Sequence, residues 1–362
     1  MKKNIVLLFG GASSEYEVSG DSAVNILRSL STEKYNVITV GITRLGKWLK
    51  YSGPSRGIAD GTWEDHPLNK EVIFSPNASK KGFFIFDDKQ VEFCNVSVVF
   101  PVLHGKNGED GRTQAGLELS RMPFVGCSSA SGSNCMDKII SNVLLTNSGI
   151  EKPKYFWFYF LDYKKNPQKI INKIKYSLGN YPFFVKPARS GSSVGVSKAD
   201  NETELKTSID LAAKEDYKIL VEEAIKGREL ECAILGRGLK EEEMFVSLVG
   251  ELTFEDEFYS YEVKYGANTL NARIPAEVDH EISQKIREIA KKAYKVMECS
   301  GLSRVDFFLR DSDSKILLNE INTMPGFTGF SMFPLLMEKS GISTPELLDR
   351  LIDLAIERDD NF

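Results

Sequence analysis

The first forty residues restrict the fold most. Five apolar residues, Ile5 to Phe9, run straight into Gly10-Gly11. Ala23, Ile26, Leu27 and Leu30 then recur at helical spacing, and Asn36 to Gly41 returns to strand letters. A buried strand, a glycine turn, a helix and a second strand make a βαβ unit, because parallel neighbours need a crossover long enough to hold a helix. The expectation is an open parallel sheet with helices on its faces. Met1-Lys2-Lys3 ahead of the apolar run imitates a signal peptide, but the run is too short for such a core and no Ala-x-Ala site follows.

A second strand-like run, Val96 to Leu103, stops at a loop from His104 through Gly105 and Gly108 to Gly111. Both glycine turns would then lie at the carboxyl ends of parallel strands, where open α/β sheets take their ligands. Between about residues 50 and 95, Gly, Pro, Lys and Asp alternate with short β-rich bursts, which reads as an elaboration of this first domain. From about residue 129 the texture changes. A strand at Phe183 to Lys186 leads through a Gly/Ser loop to a second strand at Val194 to Lys198, and Tyr217 to Val221 is a third. The last third is β-rich, interrupted by an amphipathic helix carrying Ile282, Ile286, Ile289, Ala293 and Val296. It closes on a helix with Thr344 as N-cap and Pro345 at the first helical position.

The chain has 362 residues, 42% hydrophobic and 27% charged, the balance of a soluble enzyme of two or three domains. Its 46 Lys and Arg against 51 Asp and Glu, without a long single-sign block, argue against a nucleic-acid or anionic-membrane surface. No apolar run approaches the ~18 residues of a membrane span. Five cysteines, odd in number and without Cys-x-x-Cys, signal neither a disulfide framework nor a zinc site, so a reducing cytoplasm fits. With His66, His104 and His280 the only histidines, a histidine-based metal site is not expected either.

Chemistry concentrates in two segments. Arg304 to Arg310 and Lys315 to Asn322 read as a β-hairpin around Asp311 to Ser314. Alternation puts Arg304, Asp306 and Phe308 on one face, and Ile316, Leu318, Glu320 and Asn322 on one face of the partner. If positions 310 and 315 pair, Asp306 lies opposite position 319, so within one residue of register it can face Glu320. Asp306, Glu320 and Asn322 would then form an all-oxygen cage suited to Mg²⁺, since acidic residues among core letters are costly without a cation. The other segment, Phe183 to Lys198, is a strand ending in Lys186, a flexible turn and a second strand, able to fold over phosphates. Gly191 to Gly195 also matches Gly-x-Ser-x-Gly, which would make Ser193 a hydrolase nucleophile with His280 as base; that motif requires a helix after the turn, and Val194, Val196 and Lys198 alternate as a strand. Walker and Rossmann glycine motifs are absent from the sequence. Glu222 to Glu229 follows a strand and reads either as a solvated helix start or as acceptors for a nucleoside.

Taken together the segments resemble the D-alanine:D-alanine ligases of the ATP-grasp superfamily. The likeness runs through Phe9 to Ser19, Leu103 to Gly111, Cys135-Met136-Asp137-Lys138, Lys186 to Gly195, Phe258 to Tyr265, Arg304-Val305-Asp306 and Asn319 to Thr328. It implies an ATP-grasp fold, mixed α/β and α+β, preceded by an open parallel α/β domain. The expected divisions are 1–128, 129–228 and 229–362, with ATP between the second and third. Lys138 and Lys186 would hold phosphates, Glu222 adenine and Glu229 the ribose, while Asp306, Glu320 and Asn322 hold two Mg²⁺ ions, or Mn²⁺. Glu15 would anchor the ammonium of the first D-alanine and join Ser192 and Tyr265 in a triad that draws a mobile loop over the site. By the same resemblance His104 would sit near the first substrate, Lys264 and Ser331 would take the carboxylate of the second, and Arg304 with the Gly326 N–H would stabilise the oxyanion.

Relatives that make D-alanyl-D-lactate carry a histidine where this chain has Lys264-Tyr265, and those that make the D-serine product often have arginine where Met332 stands. The resemblance therefore implies two D-alanines, with Met332 an apolar wall for a methyl group; it also implies a cytoplasmic homodimer serving cell-wall synthesis. Departures from the family pattern are Tyr16, Arg112, Ala115 and Gly329-Phe330. A non-catalytic nucleotide-binding module is the remaining alternative, and the intact Arg304, Asp306, Glu320 and Asn322 oppose it.

Overall fold

Ile5 to Phe9 are buried to within 1% of complete, as a strand covered on both faces must be. They lie near the parallel end of the first of three sheets in the computed structural model, which describes residues 2–87, 90–239, 241–253 and 272–359. That sheet holds β1 (Lys3–Gly10), β2 (Tyr35–Ile42), β3 (Trp48–Tyr51), β4 (Lys70–Phe74), β5 (Gly82–Asp87), β6 (Gln90–Asn95) and β7 (Val98–Val102), in the order β6-β5-β4-β3-β2-β1-β7. β1 is parallel to β2 and β7, with the helix Tyr16–Ser29 as the crossover. From β2 to β6 the pairing is antiparallel. The elaboration thus extends the sheet itself: the β2–β3, β4–β5 and β5–β6 connections are too short to carry the chain back for parallel pairing, and the longer segment 52–69 also returns antiparallel.

The glycine turn ties the parallel strands together. Gly11 N donates to Ile42 O at 2.8 Å, and the Ser19 hydroxyl accepts from Gly10 N at 2.7 Å while donating to Val102 O. Gly10 has φ +86°, and a Cβ there would lie 2.2 Å from Ile42 O.

The second sheet is antiparallel and holds β8 (Tyr155–Tyr159), β9 (Phe183–Pro187), β10 (Ser197–Ala199) and β11 (Lys218–Glu223), ordered β10-β9-β11-β8. Helices Pro167–Leu178 and Glu202–Ala212 seal one face through Ile171, Ile174, Leu205 and Ile209. β10 begins later than the alternation of Val194 and Val196 implies. Val194 N bonds to Gly191 O and Val196 N to Ser193 O, so successive tight turns take up the backbone groups a strand would have used.

The third sheet holds β12 (Gly227–Arg237), β13 (Phe245–Val246), β14 (Gly250–Leu252), β15 (Ala272–Arg273), β16 (Ser300–Arg310) and β17 (Ile316–Asn322), with the antiparallel β12-β16-β17 as its body. The helix His280–Val296 covers it with Ile286, Ala290, Ala293 and Tyr294 wholly buried. The helix Thr344–Asp359 starts one residue earlier than its letters imply. Ser343 O accepts from Leu347 N at 2.8 Å, which makes Ser343 the cap and leaves Pro345 at the second position, where a missing N–H still costs nothing.

One apolar cluster crosses from the first sheet to the third. It joins Ile5, Leu7 and Phe9 with Leu235 and Leu252, with Phe333 and Leu336, and with Leu347, Leu348, Leu351 and Ile352 of the last helix. The five cysteines are free thiols, and no described helix is long and apolar enough to cross a membrane.

Gly10→Ala puts a methyl group into a carbonyl at a left-handed position. A loss of about 2–5 kcal/mol of stability is expected, read as a fall of several degrees in the thermal midpoint by circular dichroism; an unchanged midpoint would show that the turn relaxes freely.

Candidate active site

The β16–β17 hairpin determines where the acids go. Arg310 N bonds to Lys315 O at 3.0 Å, and Leu309, Phe308 and Phe307 face Ile316, Leu317 and Leu318. Continued unbroken, this register would set Asp306 against Asn319. Instead Asn319 is inserted as a β-bulge, and beyond it Asp306 faces Glu320, Val305 faces Ile321 and Arg304 faces Asn322. The single slip returns Glu320 and Asn322 to the face that bears Arg304 and Asp306.

Arg304 grips Asp306 with two parallel bonds, Nε to Oδ1 at 2.8 Å and Nη2 to Oδ2 at 2.7 Å, and its Nε lies 3.1 Å from Glu231 Oε2 on β12. Burial opposes the guanidinium charge, but the carboxylates of Asp306 and Glu231 outweigh it and hold its pKa well above the ordinary arginine value. A carboxylate offers about four lone-pair sites, so Asp306 can keep Arg304 and still coordinate a cation. Asn322 Oδ1 accepts from Met324 N at 2.9 Å and has a lone pair left. Two carboxylates and a carboxamide on adjacent strands are a hard oxygen set, and they fit Mg²⁺ or Mn²⁺.

The second sheet presents lysines toward the same cleft. Lys186 on β9 pairs with Glu222 on β11 at 2.6 Å, and Asn142 Nδ2 supports Glu222 at 3.3 Å. Burial pulls Lys186 down and pushes Glu222 up, yet mutual attraction wins for both: Lys186 lies above its ordinary pKa and Glu222 below. Lys138 opens the helix Lys138–Asn147, its Nζ donating to Ser190 O at 2.7 Å and lying 3.9 Å from Glu320. Asp137 caps that helix through Ile139 N and Ile140 N, and is held by Lys218 at 2.5 Å. Glu229 stands on β12 across from Phe308 of β16 and Leu252 of β14.

On the side of the first sheet, the Ser192 hydroxyl donates to Glu15, which is 5% exposed at the start of the crossover helix. Ser192 and Ser193 have φ of 46° and 59°, left-handed values that non-glycine residues adopt at a cost. The turn that carries them is anchored at its base by Arg189, bidentate to Asp216. Gly105 and Gly191 crowd Glu15, since a Cβ on either would come within 3 Å of Oε2. His104 sits 3.1 Å from Met324 O through Nδ1; a carbonyl only accepts, so Nδ1 carries the proton. Ser331 Oγ accepts from Thr328 N at 3.0 Å in the turn that follows Gly326. Met332 is buried in the cluster shared with Leu252 and Phe333. Lys264 and Tyr265 lie outside the described residues.

The D-ala D-ala ligase N-terminus model matches residues 4–127, and the D-ala D-ala ligase C-terminus model matches residues 144–353. This chain belongs to the D-alanine–D-alanine ligase family. It is similar to the D-alanine–D-alanine ligases of Acetivibrio thermocellus, at 44% identity over 99% of this chain and 96% of that one, and of Caldicellulosiruptor bescii, at 45% over the same shares. Among solved structures it resembles the VanG D-Ala:D-Ser ligase from Enterococcus faecalis, with TM-score 0.87, 40% identity and coverage of 98% of this chain and 100% of that one. The D-alanine-D-alanine ligase from Coxiella burnetii follows at TM-score 0.84 and 31% identity, covering 99% and 97%.

The hydrolase reading of Ser193 fails on local structure. The turn after β9 leads into β10, a strand, so it is not the strand-to-helix elbow that exposes a nucleophile. Two of the family departures find local partners: the Tyr16 hydroxyl bonds to Glu64 with Arg44 stacked 4.2 Å over its ring, and Arg112 pairs with Asp110 at 2.6 Å.

Three residues beside this candidate site carry no motif of their own in the sequence: Glu231, the second anion on Arg304; Glu109, 3.7 Å from His104; and Lys152. Lys152 is half-buried, and its Nζ donates to Asn319 O at 2.6 Å. Burial pushes its pKa down to about 8, helped by Lys186 and Lys138 and resisted by Glu222 and Glu320. It lies in the irregular segment 151–154 between two sheets, where no strand or helix periodicity marks a residue.

Glu222→Gln leaves Lys186 buried without its anion, an expected loss of about 3–5 kcal/mol near neutral pH. Glu222 titrates below its ordinary 4.5, so its contribution is complete above that value and fades as pH falls through the folded-state pKa. Thermal melts should therefore show the gap between wild type and variant narrowing as pH falls below 4.5; a gap independent of pH would mean the pair contributes through packing alone.

Proposed function

We infer that this chain joins two D-alanines into D-alanyl-D-alanine, converting ATP to ADP and phosphate and supplying a cell-wall precursor. The observation that carries the reading is the convergence of Lys138 and Lys186 from one side with Arg304, Asp306, Glu320 and Asn322 from the other. A polyanion fits between such cations, and the Ser192–Glu15 bond brings the Gly/Ser turn against the loops of the first sheet, where a small zwitterion would bind.

The carboxylate of the first D-alanine attacks the γ-phosphorus, ADP leaves, and an acyl phosphate forms. The amine of the second D-alanine, having given up a proton, adds to the acyl carbon, and phosphate departs from the tetrahedral intermediate. Lys138 and Lys186 align the phosphates, while Glu222 and Glu229 orient adenine and ribose. Divalent cations held by Asp306, Glu320 and Asn322 would neutralise phosphate charge. Glu15 holds the first ammonium, with His104 close by. Arg304 and the Gly326 N–H face the developing oxyanion, whose charge they match without reorganising. Ser331 and Lys264 take the second carboxylate. Tyr265, with Ser192 and Glu15, closes the site against water, which would hydrolyse the acyl phosphate. The divisions 1–128, 129–228 and 229–362, a homodimer and a cytoplasmic location complete the reading.

D-serine as second substrate is the other reading, and the likeness to the VanG D-Ala:D-Ser ligase supports it. The apolar Met332 favours D-alanine, since it offers a serine hydroxyl no partner.

The decisive assay is ADP release with D-alanine alone, with L-alanine, and with D-alanine plus D-serine. Turnover with D-alanine alone, lost in EDTA and restored by Mg²⁺, is expected, with the D-alanine dipeptide dominating the mixed reaction by mass spectrometry. Absence of D-alanine-stimulated release would overturn the reading, and a dominant mixed dipeptide would favour the D-serine alternative. Arg304→Ala should lower kcat by about 10²–10³ while D-alanine still protects the folded protein in thermal shift.

A further inference from the structure

The bulge at Asn319 raises the question of what holds it. Asn319 has no cross-strand partner in the β16–β17 ladder, whose pairing passes from Leu318 directly to Glu320. An inserted residue of this kind leaves its backbone groups to be satisfied from elsewhere. The Lys152 ammonium takes the Asn319 carbonyl at 2.6 Å, a short bond strengthened by the charge of its donor.

Lys152 is held in place for this contact. It belongs to a four-residue strap, 151–154, bonded to two sheets. On the third sheet Leu318 N donates to Glu151 O at 2.9 Å; on the second, Glu223 N donates to Lys154 O at 3.0 Å, and Lys154 N donates to Glu223 Oε1 at 2.8 Å. The strap thus spans the cleft at the level of the bulge, and Lys152 projects from its middle.

We propose that Lys152 is a positioning residue for the Asp306, Glu320 and Asn322 cation site, acting through the Asn319 carbonyl. Its bond stabilises the inserted residue, and the insertion keeps Glu320 opposite Asp306. Without the clamp the hairpin gains by pairing Asn319 with Asp306, a one-residue slip that turns Glu320 to the opposite face. The proposal rests on the cation-site reading given above, and the experiment separates the two.

Full-length wild type, Lys152→Met and Lys152→Arg are each titrated with Mn²⁺ in the presence of ADP, with free Mn²⁺ followed by electron paramagnetic resonance. ADP binding in EDTA is measured by calorimetry on the same proteins. The methionine variant should bind Mn²⁺ roughly 10–100-fold more weakly, the range for residues that orient metal ligands from outside, while metal-free ADP affinity stays within about twofold; arginine should restore most of the loss. Unchanged Mn²⁺ affinity in the methionine variant would overturn the proposal. So would an equal loss of ADP affinity in EDTA, which would make Lys152 a direct nucleotide contact. If wild type with ADP binds no Mn²⁺, the cation-site reading itself fails. Should the methionine variant not fold, Lys152→Gln, neutral and shorter in reach, is measured in its place against the same outcomes.

Discussion

Charge placed between apolar sheets must be matched, and the arrangement of this molecule's cleft follows from that constraint. Lys186 and Glu222 are both nearly buried and lie 2.6 Å apart; Arg304 is shared between Asp306 and Glu231; Lys218 holds Asp137. A buried ion without its partner is penalised far more heavily than a matched pair is rewarded. These pairings therefore add little net stability. Their effect is to keep lysine and arginine side chains extended toward a common space, where a polyanionic substrate and its counterions can exchange partners with them.

Local letters revealed the strands but not how they are joined. Ile5 to Phe9 and Asn36 to Gly41 announce parallel strands because apolar residues and a crossover of fixed length leave few alternatives. The antiparallel extension from β3 to β6 was less legible: its short, partly exposed strands mix Lys, Glu and Phe without clean alternation. At the Gly/Ser turn, valines at alternate positions imitated strand while tight-turn hydrogen bonds prevailed. The cap of the last helix moved by one residue because Ser343 and Thr344 are chemically equivalent there, and only the hydrogen bond distinguishes them.

At the site, what repeats every second residue was readable and what acts across sheets was not. Asp306, Glu320 and Asn322 could be grouped from alternation, and pairing at 310 and 315 left them one residue from register; the bulge supplied that residue. Glu15, Lys138 and Ser192 acquired roles through family resemblance, since each alone is an unremarkable surface letter. Glu231 reaches Arg304 through the β12–β16 pairing, from a strand more than seventy residues earlier; Lys152 meets the hairpin from a strap between two sheets; and Glu109 lies in the same loop as His104, where one acid among several polar letters does not stand out.

The apolar cluster joining β1 to the final helix has a consequence for how the chain is made. Ile5, Leu7 and Phe9 share that cluster with Leu347, Leu351 and Ile352, and polar links from Lys3 to Asp353 and from Tyr35 to Asp349 border it. A strand near the start of the chain is thus covered by a helix translated more than three hundred residues later. During synthesis the nascent first sheet must wait with one face wet, the kind of delayed long-range closure that exposes a chain to aggregation and to chaperones.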